Sequence, residues 1–348
     1  MNKKEYEKVY KYLLKDCPDL EGRFAKDGKG RFTGKFLTNG KCKLLEINEV
    51  FGTKIQCSDY DVVANGEGNE EDKIDTVYSS SLQSLLAFYN VGDDNPIKID
   101  VDGKSYSFNK VLFEYENPVI GYPSSVDVVL LNEEKGDIAF IESKCLEVIR
   151  DSSNEGKKAI GISYFHANDK SSYKQALKLN QLDLEKIGII YPTTTKFNGR
   201  EVTYDETGVY INNVSGLSKI KSAVNSVNGN SFVYSEGIKQ VLSHLIGIQN
   251  FRNVSNYGYG DRIVDHKKFK TIFYIELYNA FPGLGFDKQI ENFENHISTV
   301  KAVIKSKDEK DRKLVDYFIS ISYQELFKNN SNFKFADKDN KVKKYFHF

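Results

Sequence analysis

Tryptophan is missing from this 348-residue chain, methionine occurs once, histidine five times, proline six times and cysteine four times. The cysteines (Cys17, Cys42, Cys57 and Cys145) show no CxxC spacing. With so few histidines, that argues against a structural zinc site. Free thiols in a reducing cytoplasm are the plain expectation. Long apolar runs are missing too: Val126–Leu131 is interrupted by Asp127, far short of the roughly 20 residues that a membrane-spanning helix needs. No membrane partner is therefore expected. The first residues alternate charges where an export signal would carry an apolar stretch, which also points to the cytoplasm. Neither sign of charge is in excess, with Lys+Arg and Asp+Glu at 49 each. A chain of zero net charge is not drawn to nucleic acid as a whole, so any phosphate-binding surface must be local.

What is present suffices for a folded core. Hydrophobic residues make up 40% and aromatics 13%, which excludes wholesale disorder. Apolar spacing predicts a helix over 4–14, then short strands at Cys42–Ile47 and Ile55–Val63. A polar loop follows over 65–73, and a helix over Ser80–Asn90 opened by the serine run 79–81. Strands are predicted at Ile97–Val101, Ser105–Phe108 and Val111–Tyr115, with a hairpin over Val126–Leu131 and Ile138–Lys144. Beyond it come a helix near Ser172–Gln181, a strand Ile187–Tyr191 and a second hairpin around Phe197–Arg200. A strong helix Glu236–Asn250, a strand Thr271–Tyr278 and helical patterns over 286–305 and 309–328 complete the chain. Interspersed strands and helices make the class mixed α/β.

The hairpin carries the chemistry. A symmetric turn over Asn132–Asp137 sets Asp127 directly opposite Glu142. Opposed residues share a face with Cβ atoms about 4.5–5.5 Å apart. Lys144, two residues beyond Glu142, points the same way. Two carboxylates at that distance repel unless a cation sits between them, and oxygen donors are what a hard ion such as Mg²⁺ selects. Lys144 could then hold and help deprotonate an attacking water. Glu-x-Lys also occurs at Glu71/Lys73, Glu133/Lys135 and Glu155/Lys157, all in loop or turn sequence. Only Glu142/Lys144 lies in an apolar strand with an acid opposite. The bland alternative is a self-neutralising Glu–Lys pair beside a solvated Asp127.

Asp127 followed by Glu142-Ser143-Lys144 resembles the signature of the PD-(D/E)xK nuclease superfamily, with Val126-Asp127 where that signature usually has Pro-Asp. The resemblance implies a restriction-endonuclease-like core: a mixed central sheet flanked by helices, with additions at both ends. Residues 1–75 would form an N-terminal extension, 76–282 the core with an insertion at about 148–235, and 283–348 a helical C-terminal extension. It further implies Mg²⁺, or Mn²⁺ in its place, bound by Asp127, Glu142 and the Ser143 carbonyl. Lys144 would be the catalytic lysine and DNA the substrate. Cleaving both strands would favour a homodimer.

Supporting residues carry alternatives. Gln240 and His244 lie four apart on the border of the helix Glu236–Asn250. The superfamily often braces its lysine with such a glutamine; Gln175 is the rival, and ordinary flank residues the bland reading. His244 reads as a structural hydrogen-bonder in preference to a ligand. Glu147, Glu114 or Glu116 could serve a second metal, although salt bridging to lysines explains them as well. The first core helix offers Ser81 and Gln83 where some relatives carry an acid. Basic clusters at 267–270 and 341–344 could contact phosphate or simply be solvated. Two other functions stay open: a nuclease-fold binding or assembly module without cleavage, and a nuclease acting on RNA.

Overall fold

A computed structural model of the chain describes residues 3–28, 32–36, 42–65, 74, 76, 79–119, 123–149, 158–159, 173–187, 194–197, 200–205, 208–211, 233–234, 238–253, 264–308 and 313–347. The expected loop over 66–73 and most of the expected strand Ile187–Tyr191 lie outside the described residues.

Among the described residues the N-terminal part holds α1 (Lys3–Asp16), a short antiparallel strand pair (Phe24–Lys26 and Phe32–Phe36), α2 (Lys43–Phe51), α3 (Cys57–Ala64) and α4 (Ser80–Phe88). The Ser79 side chain caps α4 by accepting from the Leu82 N–H at 3.3 Å. Two of these helices replace expected strands. In α2, Leu44, Ile47, Val50 and Phe51 are buried at helical spacing, and Gly52 ends the helix in the left-handed region. In α3 the buried Tyr60, Val63 and Ala64 follow the same period. Strand propensity of isolated β-branched residues lost to an amphipathic helical stripe.

A small hairpin of β1 (Ile97–Val101) and β2 (Lys104–Phe108) precedes β3 (Lys110–Pro118), β4 (Pro123–Asn132) and β5 (Asp137–Lys144). After the helix α5 (Ile238–Asn253) come β6 (Thr271–Tyr278), α6 (Asp287–Lys305), β7 (Tyr317–Ser322), α7 (Tyr323–Asn329) and α8 (Lys341–Phe346). The helix expected near Ser172–Gln181 is two short ones, Tyr173–Ala176 and Gln181–Lys186, parted at Lys178 with its positive φ. The hairpin around Phe197–Arg200 forms, with Phe197 paired to Arg200.

The central sheet is mixed, in the order β7-β6-β5-β4-β3, with β5, β6 and β7 parallel and the other pairs antiparallel. The β4–β5 ladder runs from Asn132↔Asp137 to Val128↔Ile141, the register that a symmetric turn dictates. Strand β7 replaces part of the helix expected over 309–328, of which 323–328 is helical in α7 and 309–312 lies outside the described residues, so the expected helical C-terminal extension contains a strand. Tyr317–Ser322 finds the open edge of β6, and Ser322 then caps α7 through the Glu325 N–H. Helices cover both faces. One apolar cluster joins α5 and α6 to Val129, Leu131, Phe140 and Tyr274; the other joins α1–α4, α7 and α8 to Val128, Leu130, Ile141 and Ile275. Buried on both sides, β5 has no exposed residue. Among the described residues no helix is long and apolar enough to cross a membrane.

Helix α5 approaches β3 closely because position 247 is glycine: a Cβ there would stand 2.6 Å from Asn117 Cβ. Gly247→Ala therefore sets a helix-propensity gain of about 1 kcal/mol against an overpacking cost of about 1–3 kcal/mol. A lower melting temperature by calorimetry is expected, with α5 displaced from the sheet.

Candidate active site

The alternation of side chains between the two sheet faces inverts at one place. On β4, Ser124 and Val126 face α5, as do Val129 and Leu131, whereas Val128 faces the other way. On β3, Phe113 and Tyr115 likewise fall on opposite faces despite their even spacing. The ladder passes from Phe113↔Val128 directly to Tyr115↔Val126, leaving Glu114 and Asp127 opposed but unpaired. Glu114 absorbs the switch with φ 45, a left-handed conformation that costs a non-glycine residue of order 1–3 kcal/mol and that gathers at functional sites. Its carboxylate accepts from the Ser125 hydroxyl at 2.9 Å.

This irregularity decides where Asp127 points. The β4–β5 ladder does not extend to an Asp127–Glu142 rung; instead Asp127 Oδ2 accepts the Ser143 N–H at 2.6 Å. Asp127 keeps some exposed surface, while Glu142 and Lys144 are buried at 5% and 4% exposure. Lys144 Nζ donates to Glu142 Oε1 at 2.7 Å and to Gln240 Oε1 at 2.9 Å. Gln240, on the first turn of α5 and exposed, thus meets the lysine; Gln175 lies in the short helix Tyr173–Ala176. One turn along α5, His244 Nε2 stands 2.9 Å from Glu142 Oε2, and Ser124 Oγ lies 2.8 Å from its Nδ1. Lys144 thus holds Glu142 Oε1, while His244 Nε2 lies at ion-pair distance from Oε2 without a hydrogen bond.

The remaining candidates divide. Glu147 turns back to accept the Cys145 N–H at 2.8 Å and adds negative charge near Lys144. Glu116 pairs with Ser125 across the ladder. Ser81 and Gln83 are buried on α4. The Ser143 hydroxyl meets the Tyr323 hydroxyl at 2.7 Å, on the face away from α5, so its side chain is turned from the cluster. Sequence reasoning missed Glu276. It lies on β6 in register with Glu142, is fully buried, accepts from the Tyr274 hydroxyl, and has one oxygen without a partner. Its signal was available: a carboxylate inside an apolar strand, the criterion that singled out Asp127.

Electrostatics separate the acids. Burial and the charges of Glu142 and Glu114 push the Asp127 carboxyl well above its usual range. Burial also raises Glu276. Burial alone would raise Glu142, but Lys144 and His244 outweigh it and hold Glu142 low. For Lys144, burial opposes the charge while Glu142, Glu276 and Glu147 overcome it, and the ammonium is raised. The lysine accordingly acts as a fixed cation and donor, not as a base.

These opposite shifts predict opposite mutational signs. Asp127 ionises at a cost to the fold, a cost present above the ordinary carboxylate range and absent in acid. Asp127→Asn keeps an acceptor for Ser143, so it should raise the melting temperature at pH 7 in chelator. Glu142 is held low, so its contribution is full above about pH 4.5 and fades as pH falls toward about 2. Glu142→Gln should cost about 3–5 kcal/mol at pH 7 by breaking a buried pair, and the deficit should shrink in acid; denaturation measured across pH reads both. Comparison of the chain with protein-family models, with curated proteins and with solved structures finds no match in any of the three.

Proposed function

We propose that the chain is a Mg²⁺-dependent phosphodiesterase cleaving DNA, built on a restriction-endonuclease-like core made of α4, β3–β5, α5 and β6. The observation that carries this reading is the cluster itself. Asp127 and Glu142 interact electrostatically, and a buried lysine bridges Glu142 to the glutamine of the following helix. A cytoplasmic location, and a dimer for cutting both strands, belong to the same reading.

The residues suit a hard divalent ion. The donors are all oxygen, and Asp127 is destabilised as an anion by Glu142 and Glu114, so a shortage of positive charge lies where the ion would sit. Among the described residues no three His, Cys, Asp or Glu side chains form a metal-holding group; Mg²⁺ is commonly held by one or two carboxylates with water and substrate phosphate. Asp127, Glu142 and the Ser143 carbonyl would hold it, and when bound it supplies Lewis-acid stabilisation of charge at phosphorus.

The chain's own groups do the rest. Lys144, locked as an ammonium, donates to the attacking water or to a phosphate oxygen and offsets charge that grows during displacement. Gln240 fixes the direction of that ammonium. His244, set by Ser124, stands beside Glu142 and favours its charged form. Partial exposure of Asp127 and Gln240 leaves a side from which substrate can approach, while the burial of Glu142 and Lys144 strengthens each interaction.

A second reading, a nuclease fold that binds without cutting, draws on the fact that Glu142 is already paired with Lys144 and has His244 at ion-pair distance. Plasmid cleavage in Mg²⁺ separates the two. Wild type should cut. Lys144→Ala should lose about 10²–10³-fold in rate, and Gln240→Ala about 10–100-fold, the usual range for a residue acting through another. Folding of each variant is checked by circular dichroism. Equal cutting by all three, or none by wild type in either Mg²⁺ or Mn²⁺, contradicts the assignment; cleavage of RNA alone would change the substrate and keep the chemistry.

A further inference from the structure

A cavity of about 510 Å³ opens at the far end of the sheet, around the start of β6 and the first residues of β7. Its wall takes Lys270 and Thr271 from the start of β6, Lys301 and Lys305 from the end of α6, Lys313 before β7, and the phenols of Tyr106 and Tyr317. Thr271 and Glu276 are five residues apart on one strand, about 16 Å at strand rise, so this cavity is separate from the acidic cluster.

Four lysines outnumber three acids in this wall, and one of those acids, Asp316, is already paired with Arg252 outside it. Among the described residues none of Lys270, Lys301, Lys305 and Lys313 has an ion-pair partner. Of the three acids in the wall, Asp316 pairs with Arg252 at 2.7 Å and accepts the Ile272 N–H at 2.9 Å, Asp308 accepts the Leu314 N–H at 3.3 Å, and Asp102 stands beside Tyr106. Lys301 and Lys305, four apart, share one face of α6 as like charges, an unfavourable arrangement. The helix dipole accounts for Lys305 in the last turn, but not for Lys270 and Lys313, which arrive from other elements. Tyr106 and Tyr317 bond to each other through their hydroxyls at 2.9 Å and are braced against Phe273, Tyr317 by stacking and Tyr106 edge-on. They form an aromatic wall at the same end of the sheet, on the face opposite α6.

The geometry points to a binding site for a phosphate-bearing ligand of nucleotide size, its phosphates met by Lys270, Lys301, Lys305 and Lys313 and its flat ring by Tyr106 and Tyr317. The volume falls in the range of small-molecule sites, about 300–1,000 Å³. Converging lysines act as point charges suited to phosphate, and aromatic side chains provide stacking surface for bases. The site does not depend on the cleavage reading. Its occupant is either a free nucleotide or a nucleotide within a single strand, since both present the same chemistry.

Calorimetric titration of the full-length protein with ATP, and separately with a short single-stranded oligonucleotide, tests the assignment. Saturable one-to-one binding is expected for at least one of them. Lys301→Ala/Lys305→Ala, both exposed positions, should weaken it at least tenfold with the melting temperature unchanged. Lys267→Ala/Lys288→Ala, exposed lysines outside the cavity, should leave it within twofold. ATP binding that the cavity variant loses identifies a free nucleotide, and loss confined to the oligonucleotide identifies a strand. Absence of binding to both, or binding indifferent to the cavity variant, overturns the site.

Discussion

A buried ammonium among carboxylates governs this molecule. Lys144 sits at 4% exposure against Glu142, with Glu276 and Glu147 also contributing negative charge. Placing charges in a low-dielectric core is expensive unless each is matched, so the elements around Lys144 must be held in position. That requirement accounts for the neighbours: Gln240 accepts one N–H of the lysine, and His244, bonded to Ser124, stands 2.9 Å from the second oxygen of Glu142. It also accounts for the sheet order, because β6 must lie beside β5 to bring Glu276 into register with Glu142.

The matching is incomplete at Glu276, which keeps one oxygen without a partner, and at Asp127, where it is chemically informative. Asp127 is partly exposed, bound only to a main-chain N–H by the contacts described, and pressed by Glu142 and Glu114. The left-handed Glu114 and the inverted strand alternation hold it there at some cost in backbone energy. A fold optimised for stability alone would replace such an acid; one that must bind a cation has a use for it. Local strain and local repulsion coincide at the residue that the proposed chemistry needs.

Much of this was legible in the chain. The β4–β5 register followed from apolar runs flanking a short polar turn, and Thr271–Tyr278 and Ile97–Val101 from β-branched alternation bounded by turn residues. Other features depended on partners distant in sequence. Tyr317–Ser322 becomes a strand because β6 presents an open parallel edge, which no local pattern announces. Cys42–Ile47 and Ile55–Val63 were misread because a few β-branched residues outweighed the buried stripe that surrounds them. The face inversion at Glu114 and Asp127 breaks the strand period itself, so a reading built on that period put Asp127 in a ladder rung it does not form. Glu276 needed only the acid-in-an-apolar-strand criterion applied once more.

Titration of the protein with Mn²⁺, followed by the paramagnetic resonance of the free ion, tests the central claim most directly, because it reads metal uptake without requiring a substrate. The account predicts that wild type takes up Mn²⁺, that Mg²⁺ displaces it, and that Asp127→Asn and Glu142→Gln each abolish uptake while the folded state persists. Uptake that is absent in wild type, or unaltered when both acids are neutralised, would contradict it.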